Sequence, residues 1–450
     1  MPAGVMLEGT GETSFMARFS PRLRLDMVKH PIHIMGRFFT RERFAAPQAI
    51  AGLLLLIFLA QCTWLVHRKL QTTKIDADEM FVLEAGLGRW HGQTFASQTM
   101  IARAHSSAPN LAAAGDDRES PSDFFDPHHS ALYYLVAAAP LLVWPGELRA
   151  DSVGSWGWLA HMPFLFFGVM LGASLWYVAR RLYGNAGGYV ALLLYCFAPG
   201  LIRSSASWFV KPETGAAWGA FGSIFTAIAV AHTLYAPREV VLWNWRRIVL
   251  LGVALALAVG SQFSMIILVP LVFGFLIYLV PERRIAGMTI WAAACSVGLL
   301  FLIAAYGFQT QAFWQAMMHT RFFEYNVSAF SISGIYRDLL GELGQICPAL
   351  IIAVPATLVA YASWRRARYF GNTAPLLVAV LFLVLGLATV HYPGLGFRLI
   401  SVPFLFLFVA GVTADLLESR YRLLTQACAC GLLGAYALWS FMELARAVHS

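Results

Sequence analysis

The chain has 450 residues, of which 59% are hydrophobic and only 12% are charged. Soluble globular domains carry about 25% charged residues, so this composition excludes an ordinary soluble protein. The formal net charge of +8 does not indicate a nucleic-acid partner, because the basic residues lie in short segments at the ends of apolar runs. Many runs reach the ~20 residues that a helix needs to cross a bilayer, which predicts a polytopic helical membrane protein.

A basic segment comes first in the chain. Residues 1–46 contain seven lysines and arginines before any long apolar run, and they predict a cytoplasmic tail that could lie on anionic headgroups. Residues 47–450 then form the transmembrane domain, which begins with a span at about residues 50–66. No small-residue cleavage site follows a short apolar core, so we expect this span to remain as an anchor.

The next segment, residues 67–156, is predicted to be an exterior loop, far longer than most connections. It contains an apolar run at residues 131–144 that is short for a membrane span. If this run crossed the bilayer, Arg180 and Arg181 would fall outside, whereas an interfacial run places them inside with four further arginine groups. Those groups are Arg246-Arg247, Arg283-Arg284, Arg365-Arg366-Arg368 and Arg420-Arg422. Because basic loops favour the cytoplasm, we predict an interfacial helix.

The remaining apolar runs complete a prediction of about 11 transmembrane helices in an all-α polytopic protein, with the C-terminus outside. They fall at about residues 157–179, 186–202, 214–234, 248–261, 264–280, 286–307, 346–363, 373–390, 399–416 and 424–442. Two of these runs, within residues 248–280, are separated only by a turn at residues 260–262. The polar segments left outside hold most of the candidate side chains for chemistry.

Three carboxylates follow the first span closely: Asp76, Asp78 and Glu79. Charged groups near lipid are costly, so a cluster of them indicates a functional site. A carboxylate there could serve as a general base on an acceptor or help to hold a metal ion. The alternative is an ordinary group of solvated loop carboxylates.

Two further candidates lie at the start of predicted helices. One is a candidate phosphate ligand and the other is an acid. His129 precedes the interfacial helix and could bind phosphate through its ring N–H, with help from the helix dipole. Glu213, two residues after Lys211, opens the span at 214–234 and could be a second acid. Each also has a simpler interpretation, because a polar residue at a helix start is often a cap.

His391 and Arg398 bracket a later exterior segment. Arginine is suited to bidentate phosphate binding and keeps its charge, although an arginine at this depth could also snorkel to the interface. Residues 309–345 form an amphipathic segment to which we assign no roles. No Walker loop, dinucleotide-binding glycine motif or zinc-ligand spacing is present in the sequence.

Taken in chain order, these motifs resemble the GT-C glycosyltransferases that use polyprenyl-phosphate sugars, above all the protein O-mannosyltransferase and lipid A aminoarabinose transferase group. Asp78-Glu79 resembles the family's Asp-Glu pair, and Glu213 falls where the family usually has Asp. The other matching segments are 129–134, 158–168, 179–184 and 391–403. Ser130 and Ala131 depart from the pattern, because the family has two prolines there.

The resemblance implies a sugar transferase, either hexosyl or pentosyl, that takes its sugar from a polyprenyl-phosphate donor. It implies that Asp78 is the general base of an inverting displacement, with Glu79 and Glu213 orienting the acceptor or the base. We assign no certain cofactor, and a divalent cation near the acids is kept as an alternative, although no strong ligand set is present.

The resemblance also implies which cations stabilise the departing lipid phosphate. His129 and Arg398 are the first candidates, with Lys211 and His391 beside them. The implied partners are the lipid bilayer, the lipid-linked sugar and an acceptor glycan, lipid or protein, without nucleic acid. The implied location is a bacterial inner membrane, with the site on the periplasmic face and the N-terminus in the cytoplasm.

A secondary transporter of a lipid-linked or small solute is the main alternative. Transporters often contain inverted repeats and broken helices with polar groups near the middle of the membrane. Here the ionisable residues gather at predicted exterior ends and no repeat is evident. This distribution favours chemistry at the membrane surface.

Overall fold

The computed structural model describes residues 46–72, 75–92, 128–206, 212–234, 245–320, 326–389, 395–419 and 422–449. The chain separates into two compact units, residues 1–52 and residues 53–450, and the first is described only from residue 46 onward. The predicted basic tail therefore lies almost wholly outside the described residues and stays a prediction. The account below concerns the second unit.

The described residues form fifteen α-helices. They are α1 (Ala46–Thr72), α2 (Ala77–Trp90), α3 (Ala131–Ala138), α4 (Val153–Cys196), α5 (Pro199–Ala206), α6 (Pro212–Leu234), α7 (Trp245–Ser261), α8 (Leu268–Leu279), α9 (Arg284–Ala305), α10 (Thr310–His319), α11 (Ser333–Ile346), α12 (Pro348–Ser363), α13 (Phe370–Ala388), α14 (Gly396–Leu417) and α15 (Arg422–His449). Short 3₁₀ segments extend α3 over Ala139–Val143 and precede α8 over Phe263–Ile267.

The prediction of a polytopic helical membrane protein is confirmed. Within the described residues, 7 helices are long and apolar enough to cross a bilayer, or up to 8 if the bent pair α11 and α12 counts as one span. Each predicted span coincides with a helix, but several helices fall below the length and composition of a full crossing. The number of 11 crossings therefore stays a prediction.

Helix α4 consists of two arms that fold back on each other. A straight helix of its 44 residues would be ~66 Å long, about twice the hydrocarbon thickness of a bilayer. Gly184 breaks it with φ 78° and ψ −172°, a left-handed conformation that glycine tolerates best. The Tyr195 hydroxyl donates a hydrogen bond to the Gly168 carbonyl, a contact that only a hairpin allows. The predicted separation of spans 157–179 and 186–202 is thus confirmed.

A second predicted break is also confirmed. Helix α7 ends at Ser261, and Gln262 has an extended backbone with φ −151° and ψ 113°. The 3₁₀ segment Phe263–Ile267 then leads into α8. The predicted interfacial run forms a short apolar segment, Ala131–Val143, instead of a spanning helix. Its 13 residues can reach only ~20 Å, so the short length is confirmed while its place in the interface stays a prediction.

Three turns with arginine groups meet at one end of the helical bundle, called here the basic end. It comprises residues 180–185, 280–284 and 364–372. The Tyr183 hydroxyl donates to the Gly371 carbonyl at 2.6 Å, and the Tyr278 and Phe370 rings stack at 6.2 Å. These contacts bring together turns that the arginine distribution predicts to be on one side of the membrane.

Helix α14 is the central element of the bundle. Its span is 83% buried, and it packs against α4, α6, α12 and α13. Phe404 contributes to this core through ring contacts with Phe221 and Phe382, at 5.5 and 5.7 Å between centroids. A close-packed interior resists movement, so the backbone at the start of α14 holds its side chains in fixed positions.

Candidate functional site

The candidate site lies at the end of the bundle away from the basic end, where α6 and α14 begin and α7 ends. We call it the polar end and define it as residues 128–130, 212–215, 260–264 and 395–398. The segment before α3 meets the break between α7 and α8 here. The Phe263 N–H donates to the His128 carbonyl at 2.9 Å, and the Ser130 hydroxyl donates to the Gly260 carbonyl at 2.8 Å.

Ser130 stands where the family element that residues 129–134 resemble has the first of its two prolines. Its hydroxyl accepts from the Leu132 N–H at 3.1 Å and so caps α3. Its own N–H also donates to the Gly260 carbonyl at 3.2 Å. A proline has neither an N–H nor a hydroxyl, so it could make none of these bonds. Serine therefore ties α3 to the end of α7.

His129 is half-buried beside this serine. Its ring packs against the ring of Tyr133, one turn into α3, with 4.8 Å between centroids. The contact gives the imidazole a preferred orientation at the start of the helix. Lys211 and His391, the other predicted phosphate ligands besides Arg398, lie outside the described residues.

Glu213 is buried in the first turn of α6, with 2% of its surface exposed. Its Oε1 accepts a hydrogen bond from the Leu395 N–H at 3.3 Å. A carboxylate at a helix N-terminus is favoured by the helix dipole, so Glu213 helps to cap α14 rather than only its own helix. The first turn of α6 also approaches the α7 break, because a Cβ on Gly215 would lie 2.9 Å from the Ser261 hydroxyl.

Arg398 lies in the first turn of α14 and forms an ion pair with Glu342 of α11. The exposed fractions of the two side chains are only 15% and 28%. The Arg398 Nη2 also donates to the Gly386 carbonyl at 3.4 Å. A Cβ on Gly386 would lie 2.9 Å from the Arg398 Cγ, so a glycine is needed for this approach. The guanidinium is therefore held from two sides.

The predicted carboxylate cluster lies at the start of α2. Asp76 is exposed, and its carbonyl accepts from the Met80 N–H at 3.0 Å, so the helix begins directly after it. Glu79 is half-buried in the first turn. The backbone of Asp78 belongs to the same turn, but its side chain lies outside what the structure describes. The role of Asp78 stays a prediction.

Sequence reasoning missed Arg89, in the last turn of α2. Its Nη1 donates to the Ala305 carbonyl at 3.0 Å, and its guanidinium lies 5.1 Å from the centroid of the Tyr306 ring. Burial lowers the pKa of Arg89 to about 10, with Tyr306 and Tyr134 acting in the opposite direction. The group stays charged at neutral pH. The Tyr306 hydroxyl accepts from the Ala131 N–H at 3.4 Å, which places this second cation near the start of α3.

Glu342 is the other residue that sequence reasoning missed. It lies in the amphipathic segment 309–345, to which no roles could be assigned, and its partner is 56 residues away in the chain. Helix α11 buries a stripe formed by Ile335, Leu339, Leu343 and Ile346. Glu342 is half-buried directly beside this stripe. A carboxylate at the edge of an apolar helix face was the feature of the sequence that could have indicated a partner.

The structure thus brings the predicted residues His129, Glu213 and Arg398 to neighbouring helix ends of the polar end. Ser130 bonds to Gly260 at the end of α7, and Glu213 bonds to the Leu395 N–H at the start of α14, one turn before Arg398. Among the residues that the structure describes, no group of three or more His, Cys, Asp or Glu side chains could hold a metal ion. The arrangement offers a buried acid and a paired, half-buried guanidinium at the start of α14, and a guanidinium suits an anionic ligand.

Comparison with known proteins gives a fold-level result. No protein-family model matches the sequence, and no curated protein matches it either. The crystal structure of ArnT from Cupriavidus metallidurans bound to undecaprenyl phosphate superposes with a TM-score of 0.56 at 12% identity. The match covers 82% of this chain and 60% of that chain.

Two archaeal structures give similar values. The crystal structure of the Archaeoglobus fulgidus oligosaccharyltransferase in the apo form matches with a TM-score of 0.54 at 11% identity, over 91% of this chain and 56% of that one. AglB from the same organism, in complex with an inhibitory peptide and a dolichol-phosphate, matches with a TM-score of 0.53 at 10% identity. The chain spans only 56–60% of the length of these structures. The chain therefore shares its fold with ArnT and with these archaeal oligosaccharyltransferase structures, which confirms the fold that the sequence motifs predicted.

Proposed function

We propose that the chain is a membrane glycosyltransferase that moves a sugar from a polyprenyl-phosphate-linked donor to an acceptor. The observation that carries this proposal is the fold shared with ArnT, a structure that contains undecaprenyl phosphate. The half-buried Arg398 and the buried Glu213 at the polar end support it, because a lipid phosphate needs a cation and a sugar needs hydrogen-bonding partners. The similarity to glycosyltransferases gives the transporter alternative no support.

The proposed location is a bacterial inner membrane, with the polar end on the periplasmic face. The arginine groups at the basic end favour the cytoplasm, and the helices that begin there end at the polar end. With that orientation, the helix α1 leaves the cytoplasm and the residues before it lie inside. The acidic cluster at the start of α2 then faces the exterior.

In the proposed reaction, an acceptor hydroxyl or amine attacks the anomeric carbon of the donor sugar. The bond from that carbon to the acceptor forms as its bond to the phosphate oxygen breaks, and the lipid phosphate leaves with the bonding electrons. Asp78 takes the acceptor proton as general base. A single displacement inverts the anomeric configuration, by analogy with inverting glycosidases.

The cations of the polar end stabilise the charge that develops on the leaving phosphate. Arg398 is the leading candidate because its guanidinium is already fixed by Glu342 and Gly386. His129 is a second, and Lys211 and His391 remain proposals outside the described residues. Preorganised charge of this kind costs no rearrangement at the moment of reaction.

Glu79 and Glu213 are proposed to orient the acceptor or the base. For Glu213, the bond to the Leu395 N–H indicates how it acts: it holds the turn that presents Arg398. The transferred sugar is proposed to be a hexose or a pentose. The proposed acceptor is a glycolipid, a polysaccharide or a protein. A divalent cation near the start of α2 is left to a direct test with a chelator.

The test uses the full chain in lipid nanodiscs with a radiolabelled polyprenyl-phosphate sugar. Water can replace the acceptor and hydrolyse the donor. Release of free sugar therefore counts as turnover even before the natural acceptor is known. We expect transfer or hydrolysis that depends on Asp78. Solute flux in proteoliposomes without any turnover of the donor would instead establish a transporter.

A further inference from the structure

We propose that Glu342 is a built-in competitor of the lipid phosphate for Arg398. This inference rests on the proposed function and deepens it. Glu342 pairs with the guanidinium when no donor is bound, yields to the phosphate on binding, and returns to help release the product. It is a positioning residue that acts through Arg398, not a group that touches the reacting atoms.

The first argument is the burial of the pair. Arg398 is 15% exposed and Glu342 is 28% exposed, so neither charge is well solvated. A guanidinium at this depth needs an anion beside it, because an unpaired buried charge is strongly unfavourable. Glu342 supplies that anion.

The second argument is the geometry of the guanidinium. One nitrogen faces Glu342 and another donates to the Gly386 carbonyl, and Gly386 itself packs against the Arg398 stem. The backbone carbonyl and the packing hold the arginine independently of the carboxylate. The Glu342 side chain, in contrast, has three rotatable bonds and is more exposed, so it can turn away while Arg398 stays in place.

The third argument is the charge change during the reaction. A sugar phosphodiester carries one negative charge, whereas the released phosphate monoester carries about −1.5 to −2 near neutral pH. An unopposed arginine would therefore hold the product more tightly than the donor. A competing carboxylate weakens the hold on both, and more strongly on the more highly charged product, since like charges repel.

The test measures binding of undecaprenyl phosphate to the full chain in nanodiscs. Glu342→Gln keeps the size and a hydrogen-bonding group but removes the competing charge. We expect it to bind undecaprenyl phosphate at least fivefold more tightly than the wild type. With the labelled donor sugar, KM and kcat should both fall, because the product leaves more slowly.

The matched control is Asp338→Asn, which removes an exposed carboxylate one turn earlier on α11. Its affinity should stay within twofold of the wild type, which separates a local pair from a general change in surface charge. Glu342→Asp restores the carboxylate and should bring the affinity back toward the wild-type value. In the background of Arg398→Gln, Glu342→Gln should no longer tighten binding. A monodisperse gel-filtration profile and a cooperative thermal unfolding transition verify that each variant is folded, although the melting temperature can fall where one partner of the pair is removed.

Equal or weaker binding by Glu342→Gln overturns this inference while leaving the proposed function in place, provided that the wild type binds the lipid phosphate. Tighter binding that persists in the double variant also overturns it, since the effect would not pass through Arg398. If the wild type binds no lipid phosphate and turns over no donor, the proposed function itself fails and this inference with it.

Discussion

The two ends of the helical bundle use the same kind of ion pair in opposite settings. At the basic end, Arg366 and Glu418 lie 3.8 Å apart with exposed fractions of 59% and 54%. At the polar end, Arg398 and Glu342 are paired at 15% and 28% exposure. Exposed pairs contribute about 0–1 kcal/mol, whereas buried pairs are costly to assemble and costly to break.

Under the proposed function, this difference separates charges that orient the protein in the membrane from charges that bind the ligand. The arginines of the basic end are exposed, except for the half-buried Arg180, so they can favour one side of the membrane with little desolvation. Where that end does bury polar groups, they bond to each other: the Asn372 amide donates to Asp415 at 2.8 Å and to the Ala367 carbonyl at 3.0 Å. At the polar end, Arg398 pairs with Glu342 instead, and the proposed function makes its guanidinium the binding partner of a lipid phosphate.

The largest expected effect on transfer belongs to the predicted base. We expect Asp78→Asn to lower turnover by ~10²–10⁴-fold, the usual range for loss of a general base, while expression stays intact. Labelled sugar transfer is the measurement. Asp76→Asn is the control, because Asp76 is exposed and directly precedes the helix. Near-normal turnover in Asp78→Asn would remove that residue from the role.

The next prediction compares arginines from the two ends. Arg398→Gln should lower kcat/KM for the donor by about 10- to 100-fold, because hydrogen bonds to charged groups contribute ~1.5–3 kcal/mol. Arg366→Gln removes the same charge from the basic end and should change kcat/KM by less than about twofold. Similar losses in both variants would mean that burial does not distinguish the two ends.

A smaller effect is expected from the glycine that holds Arg398. Gly386→Ala would place a Cβ 2.9 Å from the Arg398 Cγ, so the arginine stem must shift. Overpacking of this kind costs about 1–3 kcal/mol, and we expect KM for the donor to rise about fivefold or more. Gly341→Ala is the control, since a Cβ there meets nothing within 4 Å. An unchanged KM in Gly386→Ala would show that Arg398 need not be held in this position.

The smallest effect on transfer, with the clearest effect on stability, is expected at the basic end. Asn372→Ala removes the amide that joins α13 to Asp415 and leaves a buried carboxylate without that donor. The free energy of unfolding should fall by about 1–3 kcal/mol, seen as a lower melting temperature. kcat/KM for the donor should not change. A loss of donor binding in this variant would contradict the division between the two ends.

The positions of the helices were largely predictable, for physical reasons that act locally. Apolar length decides where a helix can cross, and the breaks at Gly184 and at residues 260–262 were visible as interruptions of apolar runs. The short run before Trp144 was recognised because too few residues were available to cross the bilayer. The motifs resembling GT-C enzymes predicted the fold, which the structural comparison confirms.

Two residues of the predicted site lie near each other in the structure, and their roles stay predictions. Glu213 and Arg398 were named from the sequence, and the structure brings them to the same turn of α14. Their partners were not predicted, and neither was Arg89. Glu342 looked like one more charge on an amphipathic segment, because nothing in its local sequence indicates that it faces α14.

The sequence by itself determined the class of protein, the helices and the likeness in motifs, since each depends on composition or spacing within a short stretch. Only the tertiary structure decided which buried charges meet. Glu213 and Leu395 are 182 residues apart, and Arg398 and Glu342 are 56 apart. Lipid tails are as apolar as the helix surfaces, so hydrophobic pattern indicates depth in the membrane but does not select neighbouring helices. Close packing and hydrogen bonds make that choice, and they exist only once the helices are assembled.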